Sequence, residues 1–235
     1  MKLIIVRNKE ELGARAGGMI AEAINAKPDI ALGLATGSTP IPVYRELIRL
    51  YEKGELDFSR VRTVNLDEYI GLPANHPQSY RCFMDKNLFD HINIDKSNTY
   101  VPDGMAQNPV AECARYDAVI DRLGGVGLQL LGIGPNGHIG FNEPADAFSE
   151  RTLAVRLAEA TITANARFFD KPADVPERAI SMGVGDIMNA KKIVLVAGPE
   201  KREIVDMAMN GAVTPNIPAS VLQNHRDVTV FIIRE

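Results

Sequence analysis

A chain of 235 residues, 46% hydrophobic and 24% charged, is long enough to bury a sizeable core and has the balance of an ordinary globular protein. Its formal net charge of −4 offers no basic field to nucleic acid or to an anionic membrane, so any anionic ligand has to be held by a local site. The two cysteines, Cys82 and Cys113, form no Cys-x-x-Cys or Cys/His cluster, which argues against structural zinc and for a reducing compartment with both thiols as packing residues.

The run Leu3-Ile4-Ile5-Val6 reads as a strand. It is too short for a signal peptide, and no stretch approaches the length of a membrane span, so the expected location is the cytoplasm. Asn8, with Glu11 three residues later, is an asparagine version of the capping box. Behind it Leu12, Ala16, Met19, Ile20, Ala23 and Ile24 keep helical spacing. Residues 30–34 form a second strand. Thr36-Gly37-Ser38-Thr39-Pro40 then opens a helix, with proline in its first turn and an apolar stripe on Val43, Leu47 and Leu50. Residues 61–66 make a third strand. Residues 67–101 are polar, are broken by Pro73 and Pro77, and carry Tyr69, Tyr80 and Phe83; a long irregular stretch of this kind predicts a lid or binding loop. Asn108-Pro109 caps a helix running towards Gly124-Gly125, and residues 127–133 are a buried strand. Further strands fall near 179–182, 193–197 and 228–233, with a helix over about 200–209.

Strand and helix in alternation, with short glycine-marked junctions, predict an α/β fold: an open, mostly parallel, doubly wound (Rossmann-like) sheet with helices on both faces. No repeat, low-complexity tract or linker divides the chain, so residues 1–235 are expected to form a single domain.

Ligands of such sheets bind beyond the carboxyl ends of the strands, and three junctions there stand out. "ATGSTP" has the make-up of an anion cradle: Gly37 allows close backbone approach, Ser38 and Thr39 bring hydroxyls, and the following helix brings unpaired N–H groups. The same residues would serve a plain helix cap, and the Walker lysine and the dinucleotide-binding glycine spacing are missing. In "NLDEYIGL", Asp67 and Glu68 stand directly after a strand. Partial burial there would raise a carboxylate towards the range of a general base, while an Asx-turn or cap would use an aspartate equally. "GPNGHIGFNEP" sets His138 among Gly134, Gly137 and Gly140, with Glu143 near enough to orient an imidazole. A lone histidine is more often structural, but these neighbours suit acid–base work.

Taken together, "LGLATGSTP", "VNLDEYIGLP", "HPQSYRCFM", "GIGPNGHIGFNEP", "ANARFFD" and "SMGVGDIM" resemble, in order and along the whole chain, the glucosamine-6-phosphate deaminases. The resemblance implies a sugar-phosphate substrate and no metal, nucleotide or redox cofactor. It makes His138 the ring-opening acid–base, supported by Glu143, and Asp67 the base that moves a proton from C2 to C1. Asn136 matches a position that is Asp in many members and orients without charge. Arg167 and Lys201 match basic phosphate ligands, joining Thr36, Gly37, Ser38 and Thr39. Neither nucleic acid nor membrane is an implied partner. Hexameric relatives carry two basic residues after "NEPA" that bind N-acetylglucosamine 6-phosphate. Here Leu153 and Val155 occupy those positions, with Arg151 nearby, and the chain ends soon after its last strand. A non-allosteric monomer or small homo-oligomer is therefore expected. Two other readings share the fold: a 6-phosphogluconolactonase-like hydrolase, and a sensor that binds a sugar phosphate without turning it over.

Overall fold

The computed structural model describes residues 1–169, 171 and 174–234. Strand β1 (Lys2–Val6) leads into helix α1 (Lys9–Ala26), whose first turn is closed by Asn8 accepting the Glu11 N–H at 2.9 Å. Only half of the expected capping box forms. The Glu11 carboxylate accepts from the backbone and side chain of Arg7 instead of turning back to Asn8. Strand β2 (Ala31–Leu34) precedes α2 (Ile41–Glu52), and β3 (Arg62–Asn65) follows. Helix α4 (Pro109–Arg122) starts on Asn108, whose oxygen accepts the N–H groups of Val110 and Ala111. Then come β6 (Leu128–Leu131), β9 (Ile193–Ala197), α7 (Arg202–Asn210) and β10 (Val228–Ile233). With β5 (Thr99–Tyr100), these strands build a seven-stranded sheet of order β1-β10-β9-β6-β2-β3-β5 in which each pairing is parallel.

Alternate residues of the central strands feed two separate cores. Val194 and Val196 pack with Leu12 and Ile20 of α1 and Val43 and Leu47 of α2. Ile193 and Leu195 pack with Tyr116 and Ile120 of α4 and Val205 of α7. Covering both faces is what turns a strand into an unbroken apolar run, and it gives the open, mostly parallel, doubly wound α/β fold. Among the described residues no helix is long and apolar enough to cross a membrane.

A second sheet departs from the expected layout. Asp67–Tyr69 forms β4, which pairs antiparallel with β8 (Arg178–Ser181); β8 in turn pairs antiparallel with β7 (Leu153–Arg156). The strand expected near 179–182 therefore lies outside the parallel sheet. Asp67 and Glu68 lie in a strand, not in a loop. One residue, Leu66, separates β3 from β4, and its carbonyl accepts the Met182 N–H at 2.7 Å, holding the chain as it passes from one sheet to the other.

Nor is the 67–101 stretch an irregular lid. It holds β4, helix α3 (Tyr80–Asn87), 3₁₀ turns at Phe89–His91 and Lys96–Asn98, and β5. The buried Glu68 carboxylate organises it by accepting the N–H groups of Tyr69 and Tyr80 at 2.9 Å and of Arg81 at 3.0 Å, while Ser79 accepts that of Cys82. The donors of Tyr80, Arg81 and Cys82 are orphans at the start of a helix, and capping them fixes where α3 begins. Two short helices complete the surroundings of the site, α5 (Glu159–Asn165) and α6 (Val184–Met188).

Candidate active site

A cavity of about 350 Å³ opens at the carboxyl ends of the parallel strands, where an open sheet of this kind places its ligands. Its wall is drawn from far-apart stretches of sequence: Thr36 to Thr39 after β2, Asp67 on β4, His138 after β6, Arg167 after α5 and Lys201 after β9. Asn136 and Glu143 do not reach the wall. They stand behind His138.

At the cradle, one expectation needs correction. Helix α2 begins at Ile41, and its entry carries Pro40 and Pro42, which have no N–H, while the N–H groups of Val43 and Tyr44 are spent on the Pro40 carbonyl. The helix start therefore has few donors to give a ligand. The loop supplies them. The N–H groups of Gly37, Ser38 and Thr39 and the hydroxyls of Ser38 and Thr39 make no hydrogen bond among the described residues. Gly37 turns the loop at φ +99°, a conformation that costs glycine little. Opposite, Lys201 has its ammonium pulled below its ordinary range, first by burial, with Glu200 opposing and the Arg167 charge assisting. Two cations close enough to feel each other share one cavity with a set of unspent donors, a combination that suits an anion.

The histidine loop is a chain of defined hydrogen bonds. Asn136 Nδ2 donates to Glu143 Oε2 at 2.7 Å, and Asn136 Oδ1 lies 2.8 Å from His138 Nδ1. A carboxylate only accepts, so the amide must turn its nitrogen to Glu143 and its oxygen to the imidazole. The oxygen also only accepts, so the proton of a neutral His138 sits on Nδ1. Nε2 is left to take up a proton and give it back. Glu143 Oε2 is also 3.3 Å from Nδ1 and stabilises the charged ring. Burial works to raise the Glu143 carboxyl; His138 as donor and as charge, with Thr161 and Asn136, outweighs it and brings the group down to about 2. Gly134 makes room for the ring, because a Cβ there would lie 2.1 Å from His138 Cε1.

Asp67 is set up in the opposite sense. It is 6% exposed, and no hydrogen bond holds its carboxylate among the described residues. Burial, and then the adjacent Glu68 charge, push it up to about 8. Glu68 itself is raised to about 7 by burial, against the pull of its three N–H donors. One cavity thus presents a basic carboxylate, an imidazole fixed in one tautomer, and a cationic end with free donors. That set can move protons on a bound anion.

The family model for glucosamine-6-phosphate isomerases/6-phosphogluconolactonase matches residues 8–231. The chain belongs to this family. A glucosamine-6-phosphate deaminase of Clostridium perfringens strain SM101 is 57% identical over 233 residues, covering 99% of this chain and 96% of the relative. One from Lachnoclostridium phytofermentans is 54% identical over 232 residues, 98% of either chain. The solved structure of a monomeric glucosamine-6-phosphate deaminase superposes with a TM-score of 0.98 at 45% identity, covering 100% of this chain and 98% of the other. A 6-phosphogluconolactonase from Thermotoga maritima covers 100% of this chain and 99% of its own with a TM-score of 0.79, but at 16% identity it shares the fold alone.

Leu153 and Val155 lie on β7 and line a second cavity, not the first. Arg151, close by in sequence, is committed to carboxylates. Its guanidinium is held by Asp117 at 3.3 Å and by Asp121 and Asp186 at 2.9 Å. Among the described residues no group of three or more His, Cys, Asp or Glu is arranged to hold a metal ion.

Several wall residues make contacts that the sequence does not show. Thr161 sits on α5 and donates its hydroxyl to Glu143 Oε1. Asn165 Nδ2 donates to the Tyr69 hydroxyl at 2.8 Å. Tyr80 stacks on Phe141 with ring centroids 6.0 Å apart and meets Tyr69 at 4.8 Å, forming an aromatic side to the cavity. Nothing in "EATITAN" separates Thr161 from Thr163 two residues on; proximity in space alone reveals it.

Proposed function

We propose that this protein converts glucosamine 6-phosphate and water to fructose 6-phosphate and ammonia. The observation that carries the reading is a basic, buried Asp67 in the same cavity as an imidazole whose tautomer is set by Asn136 and Glu143. The 6-phosphate enters the end formed by Thr36, Gly37, Ser38, Thr39, Arg167 and Lys201. His138 Nε2 takes the anomeric hydroxyl proton and returns one to the ring oxygen, opening the pyranose. Asp67 removes the C2 proton, made acidic by the C1 carbonyl, as the aldehyde oxygen gains a proton. The proton is delivered to C1, leaving an iminium at C2. Water adds at C2 and ammonia departs. The net change consumes water and breaks a C–N bond, which makes the enzyme formally a hydrolase, although its central step is an aldose–ketose isomerisation.

Lactone hydrolysis needs no base at C2, and a binding-only protein needs neither Asp67 nor the His138 relay. Both arguments support the deaminase over its two competitors. We read residues 1–235 as one domain acting in the cytoplasm as a monomer or small homo-oligomer, in keeping with the solved relative described as monomeric. The test is a coupled assay of ammonia and fructose 6-phosphate from glucosamine 6-phosphate, run beside hydrolysis of 6-phosphogluconolactone. Release of both products in equal amounts is expected. Lactone hydrolysis alone, or sugar-phosphate binding without turnover, would overturn the reading.

A further inference from the structure

Glu143 has two carboxylate oxygens, and the chain through Asn136 uses one of them. Oε2 faces Asn136 and His138. Oε1 accepts from the hydroxyl of Thr161, a residue 7% exposed that lines the catalytic cavity. Thr161 belongs to α5, which has no other part in the histidine loop. A carboxylate gripped at one oxygen still turns about its last torsion, because the wells of such sp³–sp² torsions are broad. Gripped at both oxygens, from two separate elements, it holds one plane and keeps Oε2 against the imidazole. Threonine suits this use, since branching at Cβ restricts its first torsion and the hydroxyl can donate.

We propose that Thr161 is a positioning residue for ring opening, acting through Glu143 on His138. The inference rests on the deaminase reading above.

A second observation extends it. Thr161 and Asn165 are four residues apart and so share one face of α5. The first is tied to Glu143 and the second to Tyr69 of β4. Arg167 follows two residues later and lines the phosphate end of the same cavity. One short stretch therefore joins the group that meets the phosphate to the group that steadies the acid–base relay. Substrate held at Arg167 keeps α5 where Thr161 reaches Glu143. In this way binding energy from the unreacting end of the sugar serves the chemistry at C1.

The test compares Thr161→Val, which keeps the shape and loses the donor, with Thr161→Ser, which keeps the donor. Loss of one hydrogen bond to a charged group predicts a fall in kcat of roughly 10-fold to 100-fold for Val, with KM within about twofold, while Ser stays within about threefold of wild type. On an open-chain analogue that cannot cyclise, Val is expected to match wild type, because the Asp67 step does not use Glu143. Thr161→Cys, a weak donor of similar size, is the second variant should Val fail to fold, and the same loss is expected of it. Wild-type kcat in Val, equal falls in Val and Ser, or an equal loss on the open-chain analogue would each overturn the inference. A wild-type protein that releases no ammonia would instead refute the deaminase reading itself.

Discussion

Burial, and then the Glu68 charge, push the Asp67 carboxyl up to about 8. Its base form grows as pH rises, so kcat/KM is expected to climb through about pH 8. Asp67→Asn keeps the shape and removes the base. Turnover should fall by roughly 10²–10⁴-fold with KM little changed, and C2 proton exchange into solvent should cease. Exchange at wild-type speed would contradict the assignment. Stability carries the same signature. The folded chain keeps a proton that the unfolded chain releases above the ordinary aspartate range, so this group favours folding most at low pH. That contribution is lost as pH rises through about 8. Thermal melts should accordingly show the Asn variant gaining on wild type as pH increases. Glu143 runs the other way, since its stabilisation is present above the ordinary carboxylate range and is lost as pH falls through about 2. At the proposed phosphate end, Arg167→Ala or Lys201→Ala removes a charged donor worth about 1.5–3 kcal/mol. KM for the 6-phosphate should rise roughly 10-fold to 100-fold, while unphosphorylated glucosamine should bind as before. An equal loss on both sugars would mean that the two residues support the fold.

At the scale of elements, Glu68 ties β4 to the start of α3 and is also the charge next to Asp67. Glu68→Gln removes the charge and leaves an acceptor, so the rising limb of kcat/KM should move to lower pH. Glu68→Ala strands three N–H groups and should cost on the order of 3 kcal/mol in denaturant titrations. A pH profile identical to wild type in the Gln variant would show that the two carboxylates do not communicate. This region also marks where the sequence was least readable. Residues 193–197 and 228–233 match their strands because nearly all their side chains are buried on one face or the other, and all but Thr229 are apolar. Asp-Glu-Tyr on β4 is a strand through backbone pairing to Arg178–Ser181, and pairing leaves no pattern in side-chain type. Helix α3 buries Met84 alone among its residues and so shows no apolar stripe. The cradle, Asp67 and His138 stood out because glycine, hydroxyl and charge crowd the strand ends, Lys201 and Arg167 only through the resemblance, and Tyr80 only as part of a stretch expected to bind. Thr161 was not legible, since it acts through a neighbour distant in sequence.

Across the whole molecule, Leu153 and Val155 on β7 offer a phosphate effector no cation, and Arg151 is committed to three aspartates. A dianion there would have to break those pairs and leave buried Asp186 without its partner. Saturation curves should therefore be hyperbolic and unchanged by N-acetylglucosamine 6-phosphate; a sigmoidal curve that the acetylated sugar straightens would count against this. The passage of the chain at Leu66 from one sheet to the other has a wider meaning. The parallel sheet carries the anion cradle, the lysine and the histidine loop, whereas the proposed C2 base rides on the small antiparallel sheet. Both pieces of architecture thus meet in one proposed site, because the smaller one brings Asp67 on β4 and also Arg167 on the connection from β7 to β8. A lineage could exchange the side chain on β4 alone, trading one reaction for another or for plain reception of a sugar phosphate, while the rest of both sheets keeps its place.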